Sequence, residues 1–350
     1  MTRKKPDSAN LDYPFSEPPA PGAALEVAPG VLWIRMPLPF ELDHINLWLL
    51  RDGDGWTVVD TGLKTEDTAA HWRSFLDGVL APGRIKRIIA THMHPDHVGM
   101  AGWLARTQGA VFAMTREEYL MCRVLTADTG REPPQAAVDF YRRAGWSDAS
   151  IEIYRARFGR FGSQIHTLPE THLRLVDGMS IEIGGRTWRV VTANGHSPEH
   201  ACLYCAEDKL LISGDQVLPR ISSNVSVYPI EPEANPMADW LASIKKVRRE
   251  VAADVLVLPS HQNCFRGLHA RLDELETSQH EALDALVECL KEPRRAVDVF
   301  EALFGRPIQE RHASLYGMAT GESIASLNCL LAEGRARREI RDGVAWYTAA

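Results

Sequence analysis

One heptapeptide constrains this chain more than any other stretch. Thr91-His92-Met93-His94-Pro95-Asp96-His97 carries three imidazoles and one carboxylate within six positions, although the 350 residues contain only 13 histidines. A neutral imidazole is the commonest metal ligand in proteins, and a carboxylate oxygen suits a divalent cation. An apolar run at residues 85–90 precedes the cluster, and a helical pattern follows from Val98. The cluster is therefore expected on a strand-to-helix loop, where it predicts a metal site.

Further candidate ligands stand singly at the ends of other short apolar runs. These residues are Asp60, His196, Asp215 and His261. Open sheets place their sites at the carboxyl ends of strands, so these side chains are expected to converge on the histidine loop. His44 and His200 lie near this pattern. We interpret His44 as a hydrogen-bonded loop residue and His200 as structural or facing the substrate.

The H-x-H-x-D-H loop, with single His, Asp and His residues at later strand ends, resembles the metallo-β-lactamase fold hydrolase superfamily. The resemblance covers about residues 25–265 and implies two divalent metal ions, zinc in the first place, with iron or manganese as alternatives. It implies seven ligands: His92, His94 and His196 for the first ion, Asp96, His97 and His261 for the second, and Asp215 as the bridge between them.

Two further positions bear on the resemblance. Asp60 matches the family's aspartate at the end of an early strand, which orients ligands rather than binding the metal itself. Gln262 follows His261 where many members have glycine. We expect this departure to affect the geometry of the loop more than the ligand.

The fold class expected from the resemblance is α/β, a four-layer αβ/βα sandwich with a small C-terminal winged-helix-like domain. Strand patterns at residues 25–60 and again from Ser180, with helices between and after them, are consistent with two β-rich halves. The predicted divisions are a flexible N-terminal segment (1–24), a catalytic domain (25–265), a connecting helix (266–292) and the C-terminal domain (293–350).

Residues 115–170 form a predicted helical insertion within the catalytic domain. Helices are expected at 116–125, 134–144 and 147–158, and the segment is rich in aromatic residues and arginines. Long insertions near a site are often functional, so one interpretation is a lid over the metal cleft that contacts the substrate. The other interpretation is ordinary helix packing with a charged, solvated face.

The C-terminal residues predict helices at 297–304 and 323–333, followed by a hairpin that pairs 334–340 with 344–347 across Asp342-Gly343. This pattern resembles the winged-helix domain of one subgroup of the superfamily, which includes an endoribonuclease-like branch. Arg335, Arg337, Arg338 and Arg341 could contact RNA or an anionic cofactor tail. The alternative is a packing or dimerising module, which leaves a homodimer open.

Composition excludes some classes of function. The net charge of −7 gives no basic footprint for nucleic acid. No run of about 18 apolar residues occurs, so no membrane span is expected, and we expect a cytoplasmic protein. Six cysteines show no disulfide framework. Cys202 and Cys205 have CxxC spacing, but residues three apart in a strand face opposite sides, which argues against a redox pair.

The ligand set predicts a hydrolase. Two cations that share a water lower its pKa from 15.7 towards 7, so hydroxide is available at neutral pH. Asp215 would hold the ions together and Asp96 would steer the proton of the hydroxide. The expected substrate is a small acyl ester or thioester. Two alternatives are an endoribonuclease and a mononuclear-iron dioxygenase, and the complete second ligand set argues against the latter.

Overall fold

The computed structural model describes residues 11–350, and two β-sheets form the centre of the described chain. The first sheet has seven strands in sequence order: β1 (Ala24–Ala28), β2 (Val31–Pro37), β3 (His44–Asp52), β4 (Gly55–Val59), β5 (Ile85–Ile89), β6 (Val111–Thr115) and β7 (Leu173–Leu175). The second has five: β8 (Ser180–Ile183), β9 (Arg186–Ala193), β10 (His200–Cys205), β11 (Leu210–Gly214) and β12 (Leu256–Pro259).

The described chain also contains α-helices, several of which cover the outer faces of the two sheets. They are α1 (Glu66–Asp77), α2 (Pro95–Val98), α3 (Ala101–Gln108), α4 (Arg116–Ala127), α5 (Gln135–Ala144), α6 (Asp148–Arg157), α7 (Pro236–Glu250), α8 (Leu268–Cys289), α9 (Phe300–Phe304) and α10 (Ala313–Ala332). A final hairpin joins β13 (Ala336–Arg341) to β14 (Val344–Ala349). The two β-rich halves and the C-terminal helices with their hairpin confirm the mixed α/β class.

Three apolar cores account for the layering. The inner core lies between the sheets and holds the fully buried Trp33 and Trp48 of the first sheet and Trp188 of the second. A second core joins the outer face of the first sheet to α1, α3 and α4. A third joins the outer face of the second sheet to α7, α8 and the C-terminal elements. Burial of both faces of each sheet by these three cores produces the expected αβ/βα order.

Strand β10 illustrates how the two faces are separated. Cys202 lies in the outer core of the second sheet, whereas Cys205 lies in the core between the sheets. Both are free thiols and fully buried. The expectation that they face opposite sides of a strand is confirmed, so the CxxC spacing here is a packing feature.

The elements depart from the sequence predictions in three places. Residues Pro95–Val98 form a helical turn with proline in its first position, so Asp96 and His97 lie on a helix rather than on a loop before one. Strands β6 and β7 were not predicted, and β7 has only three residues, two of them exposed. Helix α10 begins at Ala313, ten residues before the predicted start at Ser323.

The helical insertion packs against the C-terminal elements. The indole nitrogen of Trp146 donates to Thr320 Oγ1 on α10 at 2.9 Å, and its ring lies 5.2 Å from that of Tyr316. Ser147 and Ser150 at the start of α6 both donate to the carboxylate of Glu310. The insertion and helix α10 therefore form one packed unit.

The predicted flexible segment, residues 1–24, falls partly on residues 1–10, which lie outside the described part of the chain. Within the described part, the Asp12 amide donates to the carbonyl of Arg266 at 3.2 Å, and the ring of Phe15 packs edge-on against Trp33. Among residues 11–350, no helix is both long enough and apolar enough to span a membrane.

Two helical glycines allow a direct test of the packing. A Cβ on Gly102 in α3 would lie 1.9 Å from the carbonyl oxygen of Thr167, whereas a Cβ on Gly317 in α10 would meet only Trp146, at 3.9 Å. We expect Gly102→Ala to lower the free energy of unfolding by about 3 kcal/mol through overpacking. Gly317→Ala should raise it by up to about 1 kcal/mol through helix propensity. Urea unfolding of both variants measures the difference.

The two variants control for each other, since each adds one methyl group to a helical residue. Equal unfolding midpoints for Gly102→Ala and the unsubstituted chain would show that α3 does not lie in close contact with the backbone of Thr167.

Candidate metal centre

Five strands deliver the polar side chains of the centre to one edge of the two sheets. Asp60 follows β4, His92 to His97 follow β5, His196 follows β9, Asp215 follows β11 and His261 follows β12. The apolar residues of each strand are buried in the cores, which fixes the position where each strand ends. All seven residues proposed from the sequence as ligands therefore lie together.

The first group contains His92, His94, His196 and Asp215, whose potential ligand atoms all lie within 4.8 Å of one another. His92 Nε2 is 2.8 Å from His94 Nδ1 and 3.2 Å from His196 Nε2. Three ring nitrogens and one carboxylate oxygen that converge in this way are the donor set of a tetrahedral site for a borderline-soft cation such as zinc.

The second group contains Asp96, His97 and His261, again with ligand atoms within 4.8 Å of one another. Asp96 Oδ2 lies 3.8 Å from His97 Nε2 and 3.6 Å from His261 Nε2. The helical turn of α2 places Asp96 and His97 next to each other and turns both towards the loop after β12.

Asp215 lies between the two groups. Its Oδ2 is 3.4 Å from His196 Nε2 in the first group. Its Oδ1 is 3.5 Å from His97 Nε2 and 3.4 Å from His261 Nε2 in the second. One carboxylate thus presents a different oxygen to each group.

The residues present fit a pair of divalent cations. His97 Nε2 and Asp215 Oδ1 are fully buried, and neither has a hydrogen-bond partner. Buried polar atoms are almost always paired, so two unpaired atoms that face the same space indicate a ligand. A cation satisfies a neutral ring nitrogen and a carboxylate oxygen at the same time.

Burial and neighbouring charge set the protonation of the ligands. Burial lowers the pKa of His92 and His94 well below the usual histidine value, so both are neutral and ready to bind a cation. Burial also lowers the pKa of His97, but Asp60, Asp96 and Asp215 together raise it well above that value. A cation at His97 Nε2 must therefore displace a proton. Burial raises the pKa of Asp215, but His261 and His97 outweigh it and keep the carboxyl ionised.

Asp60 orients the ring of His97 by a hydrogen bond on the side away from the centre. Its Oδ2 accepts from His97 Nδ1 at 2.8 Å, and its Oδ1 accepts from the Thr91 amide at 2.8 Å. The backbone of Asp60 has φ +61°, a left-handed conformation that is strained by about 1 kcal/mol or more for a residue with a Cβ. These contacts fix the ring so that Nε2 faces the centre, which is the geometry expected of a residue that orients a ligand.

His261 is fixed by the first residue of β3. Its Nδ1 donates to the carbonyl oxygen of His44 at 2.9 Å, and His44 Nε2 accepts from the amide of Gln262 at 2.9 Å. His44 belongs to neither ligand group. Gln262, at a position where many family members have glycine, has φ +69°, and its carbonyl accepts from Arg35 and Asn46. The loop therefore keeps a turn that favours glycine and stabilises it by hydrogen bonds.

His196 is fixed by a chain of contacts that reaches the C-terminal helix. Its Nδ1 donates to the backbone carbonyl oxygen of Asn224 at 2.8 Å, and the side-chain Nδ2 of Asn224 donates to Glu322 Oε2 at 2.6 Å. Ser226 donates to Asn224 Oδ1 and to the carbonyl oxygen of Met318. Helix α10 thus supports the loop that orients a candidate ligand.

Two further buried residues contribute to the centre, and of these Glu118 was not predicted from the sequence. Glu118 on α4 accepts from the amides of Met93 at 2.9 Å and Glu199 at 2.8 Å, which joins the two histidine-bearing loops. His200 is fully buried, its Nε2 accepts from the amide of Asp215 at 3.1 Å, and burial lowers its pKa to about 3. Of the two roles considered for His200, the structural one is confirmed.

Comparison with known proteins is consistent with this geometry. Residues 41–261, more than half of the chain, match the family model described as "Metallo-beta-lactamase superfamily". The chain belongs to the metallo-β-lactamase superfamily. Residues 283–350 match a second model, "Metallo-beta-lactamase-like, C-terminal domain". The resemblance to this superfamily that the histidine loop indicated is confirmed. The presence of a C-terminal domain found in the superfamily is confirmed as well.

Individual relatives agree with the family. A crystal structure titled as a beta-lactamase domain protein from Burkholderia ambifaria is 42% identical, with a TM-score of 0.89 over 97% of this chain and 98% of that one. The "Acyl-coenzyme A thioesterase MBLAC2" of Gallus gallus is 26% identical over 67% of this chain and 79% of its own. The "Atrochrysone carboxyl ACP thioesterase" of Aspergillus fumigatus is 24% identical over 72% of this chain and 46% of its own length. This chain is therefore a metal-binding hydrolase of the superfamily, with relatives named as thioesterases.

Proposed function

We propose that this protein hydrolyses carboxylic thioesters of small molecules with two divalent metal ions, zinc in the first place. The observation that carries the proposal is the position of Asp215, which turns Oδ2 to the first ligand group and Oδ1 to the second. Two relatives that are named as thioesterases support the choice of an acyl substrate.

The ligands have defined roles in this proposal. His92, His94 and His196 would hold the first ion, Asp96, His97 and His261 the second, and Asp215 both. When bound, the ions supply Lewis acidity for the acyl carbonyl oxygen and a hydroxide at neutral pH.

The proton chemistry falls to Asp96. Its side chain keeps about 20% of its surface exposed, whereas the side chains of His97 and His261 are almost completely buried. Asp96 is also the more exposed of the two carboxylates among the proposed ligands, since the side chain of Asp215 is 12% exposed. We assign it the task of accepting the proton of the attacking water and passing it to the thiolate leaving group.

The C-terminal arginines do not favour the endoribonuclease alternative. Arg335 pairs with Asp284 at 2.6 Å, Arg338 with Glu233 at 3.0 Å and Arg341 with Glu339 at 2.8 Å. Because carboxylates match three of the four arginines named from the sequence, this hairpin offers little of the concentrated positive charge that RNA binding requires. The hairpin fits the alternative interpretation, a packing module with a charged surface.

The deciding experiment combines metal analysis with a substrate panel. The purified protein is analysed for zinc, iron and manganese, and assayed on acyl-coenzyme A thioesters, a lactone, a β-lactam and single-stranded RNA. We expect about two zinc per chain and turnover of thioesters above the other substrates. A single iron with oxygen consumption would replace the proposal by the dioxygenase alternative. Cleavage of RNA without thioester turnover would replace it by the endoribonuclease alternative.

A further inference from the structure

A cavity of about 230 Å³ lies between the helical insertion, the loop after Asp215 and helix α10. Three aromatic residues of the insertion line it, Tyr141, Trp146 and Tyr154, and Tyr228 lines it from the loop. The ring of Tyr141 packs at 4.3 Å from that of Trp146 and at 4.6 Å from that of Tyr154, so the rings form one continuous wall. None of the residues of the two ligand groups lines this cavity.

A helical glycine leaves this space open. Gly317 and Gly321 lie four residues apart on α10 and therefore on one face of the helix. A Cβ on Gly321 would lie 2.8 Å from Ser226 and 3.0 Å from the carbonyl oxygen of Val227, so that glycine is required for close packing. A Cβ on Gly317 would meet only Trp146, at 3.9 Å. Packing does not require the absence of a side chain at 317, and that absence enlarges the cavity.

The mouth of the cavity is apolar and exposed to solvent. Ile153, Tyr228 and Met318 all line it, and their exposed fractions are 39%, 46% and 42%. Large apolar side chains that are exposed together around a concave space are typical of a ligand site.

The cavity lies a short distance along the chain from the residues that support His196. Val227 in its wall is three residues from Asn224, at most about 11 Å of chain, and the Asn224 carbonyl accepts from His196 at 2.8 Å. Gly317 is about 7.5 Å along α10 from Glu322, which binds the Asn224 side chain. The cavity and the first ligand group therefore lie on the same loop, at a separation that an extended acyl group can span.

The charge of the lining restricts the chemistry of the occupant. Among the described residues that line the cavity, Arg157 is the one charged residue and none is a carboxylate. The Arg157 guanidinium donates to Ser314 at the exposed edge. A nucleotide with several phosphates requires several cations, whereas a hydrocarbon or aryl group requires only the apolar walls.

We propose that this cavity binds the hydrophobic end of the substrate's acyl group, which is an aryl group or a medium-length alkyl chain. The thioester carbonyl then lies at the two ligand groups. The inference rests on the proposed thioesterase function and extends it to the substrate class. The insertion then acts as a wall of the acyl site, built jointly with α10, rather than as a lid over the metal groups.

The test fills the cavity and enlarges it. Gly317→Leu places a side chain in the open space and improves helix propensity, whereas Met318→Ala removes bulk from the mouth. Each protein is assayed with acetyl-, hexanoyl-, decanoyl- and phenylacetyl-coenzyme A. We expect Gly317→Leu to lower the ratio of kcat/KM for decanoyl-coenzyme A to that for acetyl-coenzyme A by at least about tenfold. The reason is that one methylene in an apolar pocket changes kcat/KM by about 10–200-fold. Met318→Ala should shift the optimum towards longer chains.

A binding measurement separates recognition of the chain from turnover. Titration calorimetry with S-decyl-coenzyme A, a thioether that cannot be hydrolysed, should show at least about tenfold weaker binding to Gly317→Leu, with a smaller change for S-methyl-coenzyme A. Ile340→Ala, which removes an exposed apolar side chain from β13, serves as the matched control. This substitution should change neither the kcat/KM ratio of the two thioesters nor the relative affinity for the two thioethers.

The outcomes distinguish this inference from the proposed function. Thioester turnover with an unchanged decanoyl-to-acetyl ratio in Gly317→Leu would overturn the acyl cavity and leave the thioesterase intact. An unsubstituted protein that turns over no thioester would overturn the proposed function, and with it this assignment.

Discussion

Asp215→Ala is expected to lower kcat/KM for thioesters by at least about a thousandfold, which corresponds to about 4 kcal/mol of transition-state stabilisation. Asp215 is the residue whose two oxygens face the two ligand groups, so its loss removes a ligand from both. Metal content should fall from about two equivalents towards one. Steady-state assays and elemental analysis of the same preparation measure both effects.

The matched control is Asp77→Ala, which removes an exposed aspartate from the end of α1 and should leave activity and metal content unchanged. Circular dichroism shows whether the Asp215 variant is folded. A folded Asp215→Ala protein that retains two metal equivalents and full turnover would disprove the bridging role.

Glu118→Ala should have the largest effect on stability among substitutions around the centre, a loss of about 3 kcal/mol in the free energy of unfolding. The side chain is fully buried and accepts from the amides of Met93 and Glu199. Alanine would leave both donors buried without a partner, at about 1–3 kcal/mol each. Urea unfolding of the zinc-free and zinc-loaded protein measures the loss.

Two variants sharpen this prediction. Glu118→Gln keeps one oxygen acceptor and should lose less stability than alanine. Glu117→Ala changes the exposed neighbour and should stay within about 0.5 kcal/mol of the unsubstituted chain. Equal stability of the Glu117 and Glu118 alanine variants would show that the carboxylate does not join the two loops.

The sequence predicted the candidate centre well because its chemistry is concentrated locally. His92, His94, Asp96 and His97 are nearly adjacent, and the remaining ligands each follow an apolar run whose burial fixes its end. The strands of the two sheets other than β6 and β7 could be predicted for the same reason, since alternating and continuous apolar runs identify buried strands.

Contacts between distant segments could not be predicted in this way. In Arg116-Glu117-Glu118 both glutamates suit a helix surface, and only the packing of α4 against the two loops shows which one is buried. The first half of α10 contains Gly317, Thr320 and Gly321, which lower helix propensity, so the sequence predicted only its second half. Tertiary packing on the loop at 224–227 and on the insertion stabilises the rest.

The contact from Glu322 through Asn224 to His196 has a consequence for how such chains diversify. The matched family models divide the chain into a larger and a smaller module, but a carboxylate of the smaller one holds the loop behind a candidate zinc ligand of the larger one. Exchange of the smaller module by recombination would therefore alter metal affinity as well as substrate choice. Lineages with this architecture are expected to inherit both modules together and to vary the acyl cavity by point substitution on α10 instead.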